Sequence, residues 1–213
     1  MKALVITDIQ YDFCPGGALP VEEGDQIVPV VNELIDCFEL VAAVQDWHPP
    51  DHMSFASSHN KKVGEVIVLD GIEQILWPDH CVQGSRGAEF LEELRTGRIE
   101  RVFKKGTDKR IDSYSGFFDN GHKKATGLGD YLKKKGVDEV YLVGLATDYC
   151  IKYSALDAVG LGFTTAVIVD ACRGVNLEKG DTDRAVAEMK KAGVRIIRSR
   201  AVLEKKKLRG QVR

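Results

Sequence analysis

What most restricts the fold of this chain is an alternation of short apolar runs of β-forming residues with longer stretches of helical period. The runs fall at residues 3–7, 40–45, 101–104, 139–143, 164–169 and 195–197, and their near-continuous apolar character predicts strands buried on both faces. In the first intervening stretch Ile27, Val30, Val31, Leu34, Ile35 and Phe38 share one helical face, with Pro29 in the first turn, where its missing N–H is tolerated. Helices are also predicted over 88–95, 128–135, 148–159 and 182–191, the last three closed by Gly136, Gly160 and Gly193. Such an alternation packs in layers. The fold class expected is α/β, with three layers, α/β/α, around a central, mainly parallel sheet of about six strands.

At 213 residues and 44% hydrophobic the chain can bury a sizeable core, and residues 1–213 are expected to form a single domain, without repeats or linkers. Thirty basic residues against 32 acidic ones give a formal net charge of -2. Apart from a short run at 205–207, nothing offers nucleic acid or an anionic membrane an electrostatic footing. The apolar run near the start is interrupted by Asp8 and is too short for a signal-peptide core or a membrane span, which points to a cytoplasmic protein. Five cysteines, Cys14, Cys37, Cys81, Cys150 and Cys172, are odd in number and scattered, so neither a disulfide framework nor a zinc knot is expected. The segment from about 46 to 85 carries Pro49, Pro50 and Pro78 and lacks clear period outside 66–69. A long excursion of this kind is more often functional than idle.

Ligand crevices of open parallel sheets lie beyond the carboxyl ends of the strands. Asp8 follows the first predicted strand, Asp46 and His48 the second, Lys105 the third and Cys150 the fourth, so all should face one crevice. Cys150 falls in the opening turn of a predicted helix, where free N–H groups and the helix dipole favour thiolate. The preceding Gly144-Leu145-Ala146-Thr147 makes a tight strand-to-helix turn whose backbone donors could form an oxyanion hole. A carboxylate such as Asp8 can serve the thiol as general base, and an ammonium can keep both ionised. Spacing alone leaves that ammonium open between Lys104 and Lys105. Asp46 and His48, two apart in an extended segment, can point the same way. With His80 they make a set of one aspartate and two histidines that leaves positions free on a bound ion. Cys81 is an alternative ligand, although a mixed thiolate set suits a closed structural site better.

These residues lie in longer strings: Asp8-Ile9-Gln10-Tyr11-Asp12-Phe13-Cys14, Gln45-Asp46-Trp47-His48-Pro49, Trp77-Pro78-Asp79-His80-Cys81-Val82, Phe103-Lys104-Lys105-Gly106, Asp112-Ser113-Tyr114-Ser115, Gly144-Leu145-Ala146-Thr147-Asp148-Tyr149-Cys150 and Asp170-Ala171-Cys172-Arg173-Gly174-Val175. With these strings in this order, the chain resembles the nicotinamidase (pyrazinamidase) branch of the isochorismatase-like cysteine hydrolases over nearly its whole length. The resemblance implies the isochorismatase-like hydrolase fold. It puts Asp8, Lys105 and Cys150 at the family's catalytic triad positions, the lysine before the glycine being the one that matches. It implies Asp46, His48 and His80 as ligands of one divalent transition metal ion, zinc first, with iron or manganese as alternatives, in contact with the pyridine nitrogen of the substrate. His52 and Ser54 lie where members vary and are allowed a water-mediated contact with the ion at most. Phe13, Trp77 and Tyr114 match aromatic positions of the substrate pocket. The Leu145–Ala146 peptide is expected to be cis, with the N–H groups of Ala146 and Cys150 aimed at one oxygen.

The activity implied is hydrolysis of nicotinamide to nicotinate and ammonia through a Cys150 thioester, serving NAD salvage, with pyrazinamide as a further substrate. The partner is then a small molecule, and a homo-oligomer is compatible with the sequence. An isochorismatase proper cleaves a vinyl ether and lacks this cysteine and ligand set. Another cysteine amidohydrolase of the superfamily, or a non-catalytic ligand-binding homologue, remains as the alternative, the second disfavoured by the intact Asp, Lys and Cys set.

Overall fold

A computed structural model describes residues 1–210. The order of elements is β1 (Lys2–Thr7), α1 (Val28–Ile35), β2 (Leu40–Asp46), β3 (Val66–Leu69), β4 (Ile72–Ile75), β5 (Arg101–Lys105), α2 (Leu128–Lys134), β6 (Glu139–Leu145), α3 (Lys152–Gly160), β7 (Thr164–Arg173), α4 (Asp181–Lys191), β8 (Arg195–Ile197) and α5 (Arg200–Gly210). Six strands form one sheet in the order β5-β2-β1-β6-β7-β8, each neighbouring pair parallel. The pleat sorts the apolar side chains between two cores. On one face Leu4, Ile6, Val41, Ala43 and Val143 pack with Val28, Val31, Leu34 and Ile35 of α1. On the other, Ala3, Val5, Ala42, Val44, Val140 and Leu142 pack with Leu128, Leu132, Ala155, Ala158 and Met189 of α2, α3 and α4. Cover on both faces is what an all-parallel sheet requires, and the three-layer α/β/α class expected from the alternation is the one observed.

Several local expectations are corrected. The helix predicted over 88–95 does not form: Arg86–Ala88 make a single 3-10 turn, and the chain then pairs with the loop after β1. Tyr11 N–H donates to Glu89 O, Leu91 N–H donates to Ile9 O, and Gln10 bridges Phe90. Tertiary pairing here overrides a helix-compatible pattern. The helix predicted over 148–159 is two pieces, a π-type turn Thr147–Ile151 followed by α3. After α3 the left-handed residue is Gly162 rather than Gly160, whereas Gly136 and Gly193 follow α2 and α4 as expected. Within the excursion, β3 and β4 form a separate antiparallel hairpin whose turn residues Asp70 and Gly71 both have positive φ, 50° and 84°, as a two-residue hairpin loop of this kind demands. The basic end is helical as far as Gly210, and residues 211–213 lie outside the described ones. No helix among the described residues is long and apolar enough to cross a membrane.

Candidate active site

β5, β2, β1 and β6 are consecutive in the sheet, and their carboxyl ends bring Asp8, Asp46, Lys105 and Cys150 together. Lys105 lies at the centre, 2% exposed. Its Nζ is 2.9 Å from Asp46 Oδ1, 3.1 Å from Asp8 Oδ2, 2.9 Å from Ser113 O and 3.5 Å from Cys150 Sγ. Strand alternation separates the two lysines: Lys105 points inward, and Lys104 is exposed on the opposite face with its Nζ over the Trp47 ring. Burial pulls the Lys105 ammonium towards neutrality, but the Asp46 and Asp8 carboxylates outweigh it and hold its pKa well above the ordinary lysine value.

Burial pushes Asp8 up to about 7 against the opposing charge of Lys105. Its ion pair with Lys105 supplies no well-aligned hydrogen bond, which leaves carboxylate lone pairs open to a proton from the neighbouring thiol. Cys150 is itself 7% exposed, and burial raises its thiol well above the ordinary range in spite of Lys105. That direction runs against the thiolate-favouring effect expected of the turn, and a thiol so desolvated calls for a neighbouring base. Around it the backbone forms the π-type turn, with Tyr149 N–H and Ile151 N–H both donating to Ala146 O, at 3.2 and 3.1 Å. Turns of this type recur at functional sites. The Leu145–Ala146 bond is cis. Asp148 accepts from Val175 N–H and Asn176 N–H at 2.9 and 2.7 Å, fastening the turn to the segment after β7.

Asp46, His48 and His80 are all buried, with one ligand atom from each lying within 4.8 Å of the others. The rings are oriented from behind. His48 Nδ1 is 3.0 Å from Gly106 O and His80 Nδ1 is 2.7 Å from Pro78 O. A carbonyl can only accept, so each Nδ1 carries a proton, and in the neutral ring that leaves the Nε2 lone pair free for an ion. Both Nε2 atoms face Asp46 Oδ2, at 3.1 and 3.5 Å, and His48 Nε2 is buried without a hydrogen-bond partner. Two imidazole nitrogens and a carboxylate oxygen converging in a buried place could hold a cation between them, and this nitrogen and oxygen set fits a divalent transition ion. Asp46 thus turns one oxygen to Lys105 and the other to the histidines. Gly106 is part of the fit, with φ 64° and a position where an added Cβ would fall 2.3 Å from His48 Cε1.

His52 is spent elsewhere. Its Nδ1 accepts from Ser54 Oγ at 2.7 Å and Ser54 N–H at 3.2 Å, while Nε2 faces Ile111 O at 3.3 Å. Cys81, the alternative ligand, is buried with its sulfur turned to Gly87 O. Phe13, Trp77 and Tyr114 line one pocket with Asp46, His80, Ala146 and Cys150. Phe13 stands edge-on to His80 at 5.5 Å, and Trp77 Nε1–H donates to Tyr114 Oη at 3.1 Å. Sequence reasoning missed four further lining residues: Leu19, Asp112, Tyr149 and Val175. Tyr149 closes an aromatic box, 5.1 Å from Trp77 and 5.4 Å from Tyr114 between ring centroids. Its position next to Cys150 was the available signal, but the direction of a side chain in a π-type turn does not follow from spacing.

The chain matches the isochorismatase domain over residues 2–201. It is 50% identical to the nicotinamidase of Escherichia coli over 196 residues, 90% of this chain and 92% of that protein. Among solved structures it is similar to the Acinetobacter baumanii nicotinamidase and pyrazinamidase, with a TM-score of 0.92 and 46% identity over 94% of this chain and 97% of that one. The pyrazinamidase of Pyrococcus horikoshii, solved in complex with zinc, gives a TM-score of 0.76 and 38% identity over 92% and 98%. A shared fold along nearly the whole length, with half the residues identical to those of one nicotinamidase, means that the chain belongs to the isochorismatase family, in its nicotinamidase branch.

Proposed function

We propose that the protein is an amidohydrolase that converts nicotinamide to nicotinate and ammonia, serving NAD salvage, and that pyrazinamide is hydrolysed to pyrazinoate in the same pocket. The observation that carries this reading is the position of Lys105 Nζ, in reach of the Asp8 and Asp46 carboxylates and the Cys150 sulfur at once. The nicotinamidase relatives support the choice of substrate. Phe13, Trp77 and Tyr114 offer flat apolar walls suited to a pyridine ring, which strip water from its carboxamide beside the sulfur. Asp46, His48 and His80 would hold one divalent transition ion, zinc by likeness to the Pyrococcus horikoshii relative, with iron or manganese as alternatives. When bound, that ion supplies an electrophilic anchor for the ring nitrogen.

Asp8 takes the Cys150 proton as the sulfur attacks the carboxamide carbon, and the carbonyl oxygen becomes an oxyanion held by the N–H groups of Ala146 and Cys150. Lys105 offsets the negative charge as it moves between Asp8 and the sulfur. When the C–N bond breaks, Asp8 returns its proton to nitrogen, ammonia departs and a thioester remains. Asp8 then takes a proton from an attacking water; the C–S bond breaks, that proton passes to sulfur, and the acid formed gives up water's second proton to solvent and leaves as nicotinate. A small molecule is the only partner this chemistry requires, in a cytoplasmic setting. Ammonia release from nicotinamide by the purified protein tests the reading, and failure to turn over any pyridine or pyrazine carboxamide in the presence of divalent transition ions would sink it.

A further inference from the structure

The loop after β1 reaches two of the three residues assigned to the metal, through their backbone or that of a direct neighbour. Gln10 is fully buried. Its Oε1 accepts Asp46 N–H at 2.8 Å and its Nε2 donates to Asp46 O at 2.9 Å, so one side-chain amide takes over as the hydrogen-bonding neighbour of Asp46 where the β1 ladder has ended. The same Nε2 donates to Ala88 O at 2.9 Å. Two residues on, Asp12 Oδ2 accepts Cys81 N–H at 2.7 Å, and Oδ1 accepts Ala18 N–H at 3.2 Å. Cys81 follows His80 directly and has a φ of 47°, a left-handed conformation that a non-glycine residue keeps only when its surroundings impose it. Gly87 makes the room for this contact, since a Cβ there would fall 2.0 Å from Asp12 Oδ2.

Neither Gln10 nor Asp12 lines the substrate pocket. Apolar side chains would fill the same space, so packing does not call for an amide and a carboxylate here; backbone hydrogen bonds do. Asp46 is sensitive to a small displacement because its two oxygens serve different neighbours, Lys105 and the paired histidine nitrogens. We propose that Gln10 and Asp12 are positioning residues that set the metal affinity of the site. Gln10 clamps the backbone of Asp46, and Asp12 holds the Cys81 N–H beside His80. The inference rests on the reading of Asp46, His48 and His80 as ligands.

The test is Co2+ binding to the metal-free full-length protein, followed by visible absorption, with thermal midpoints measured in parallel. Gln10→Met, which keeps volume and loses every hydrogen bond, and Asp12→Ala should each weaken Co2+ binding by about 10- to 100-fold. Asp12→Asn keeps an oxygen for the Cys81 N–H and should stay within about threefold of the parent if the hydrogen bond rather than the charge is what matters. Gly87→Ala, which displaces Asp12 without removing it, should weaken binding as well, and it gives an independent reading if Asp12→Ala or Gln10→Met does not fold. Co2+ affinity within about twofold of the parent in folded Gln10→Met and Gly87→Ala overturns the proposal; so does an equal loss in Asp12→Asn and Asp12→Ala. A parent protein that takes up no Co2+ overturns the ligand assignment itself, and the positioning roles with it.

Discussion

Cys150→Ala takes one sulfur out of a pocket whose other walls remain, so nicotinamide turnover should fall by more than about a thousandfold while the thermal midpoint holds. Residual activity within about tenfold of the parent, a barrier change of about 1.4 kcal/mol, would refute the nucleophile assignment. The pH dependence belongs to Asp8. Its carboxyl is pushed up to about 7, and only the ionised form can accept the thiol proton. The value of kcat/KM should therefore climb about tenfold per pH unit below 7 and level off above it, and Asp8→Asn should lose that limb. A flat profile in the parent from about pH 5 to 8 would remove Asp8 as the base. Lys105 keeps two buried carboxylates compatible, so Lys105→Met should cost about 3 to 5 kcal/mol of unfolding free energy in urea, measured on metal-free protein. A cost under about 1 kcal/mol would mean that these charges are not held apart from water as the geometry indicates. The residue types of this group could be read from the chain, but choosing Lys105 over Lys104 required either the family likeness or the phase of β5. The upward push on the Cys150 thiol could not be read, because it comes from burial, which spacing does not reveal.

At the level of elements, the strand ends carry the site and the loops tune it. Gly106, directly after β5, lies against the His48 ring, so Gly106→Ala should displace that imidazole, lower the content of bound divalent ion after purification and reduce turnover. A variant with full metal content and parental kcat/KM would show that the ring can move aside. Five of the six sheet strands were legible to within a residue or two; the apolar runs of β1, β2 and β6 answer to burial on both faces, whereas the edge strands β5 and β8 are partly exposed, against the expectation that all six would be buried on both sides. β7 was read short: Asp170 to Arg173 continue the strand although charged Asp170 and Arg173 flank Ala171 and Cys172, since pairing of Cys172 with Gly144 and of Arg173 with Leu145 holds the end extended. The stretch at 88–95 was misread for the opposite reason. Phe90, Leu91 and Leu94 suit a helical face, and only the presence of the β1 loop, distant in sequence, decides that the chain pairs instead of coiling.

For the whole molecule, the same sheet order that joins Asp8 to Cys150 also sets Asp46 between the lysine and the histidines, so a chelator that strips the ion should abolish nicotinamide hydrolysis and a divalent transition ion should restore it. Full activity in protein verified to be metal-free would dismiss a catalytic ion. The layered α/β class was legible because alternation of strand and helix admits few packings; the convergence of four strand ends followed from the crevice rule, and the pairings that orient each side chain did not. One further consequence comes from the parallel arrangement of β5, β2, β1 and β6. None of these four can meet its neighbour through a hairpin, and the strand that delivers the sulfur joins β1 only after well over half the chain has been laid down. During renaturation, enzymatic competence should accordingly return in step with the last long-range strand docking, late and all at once, with no partly assembled species able to turn over substrate.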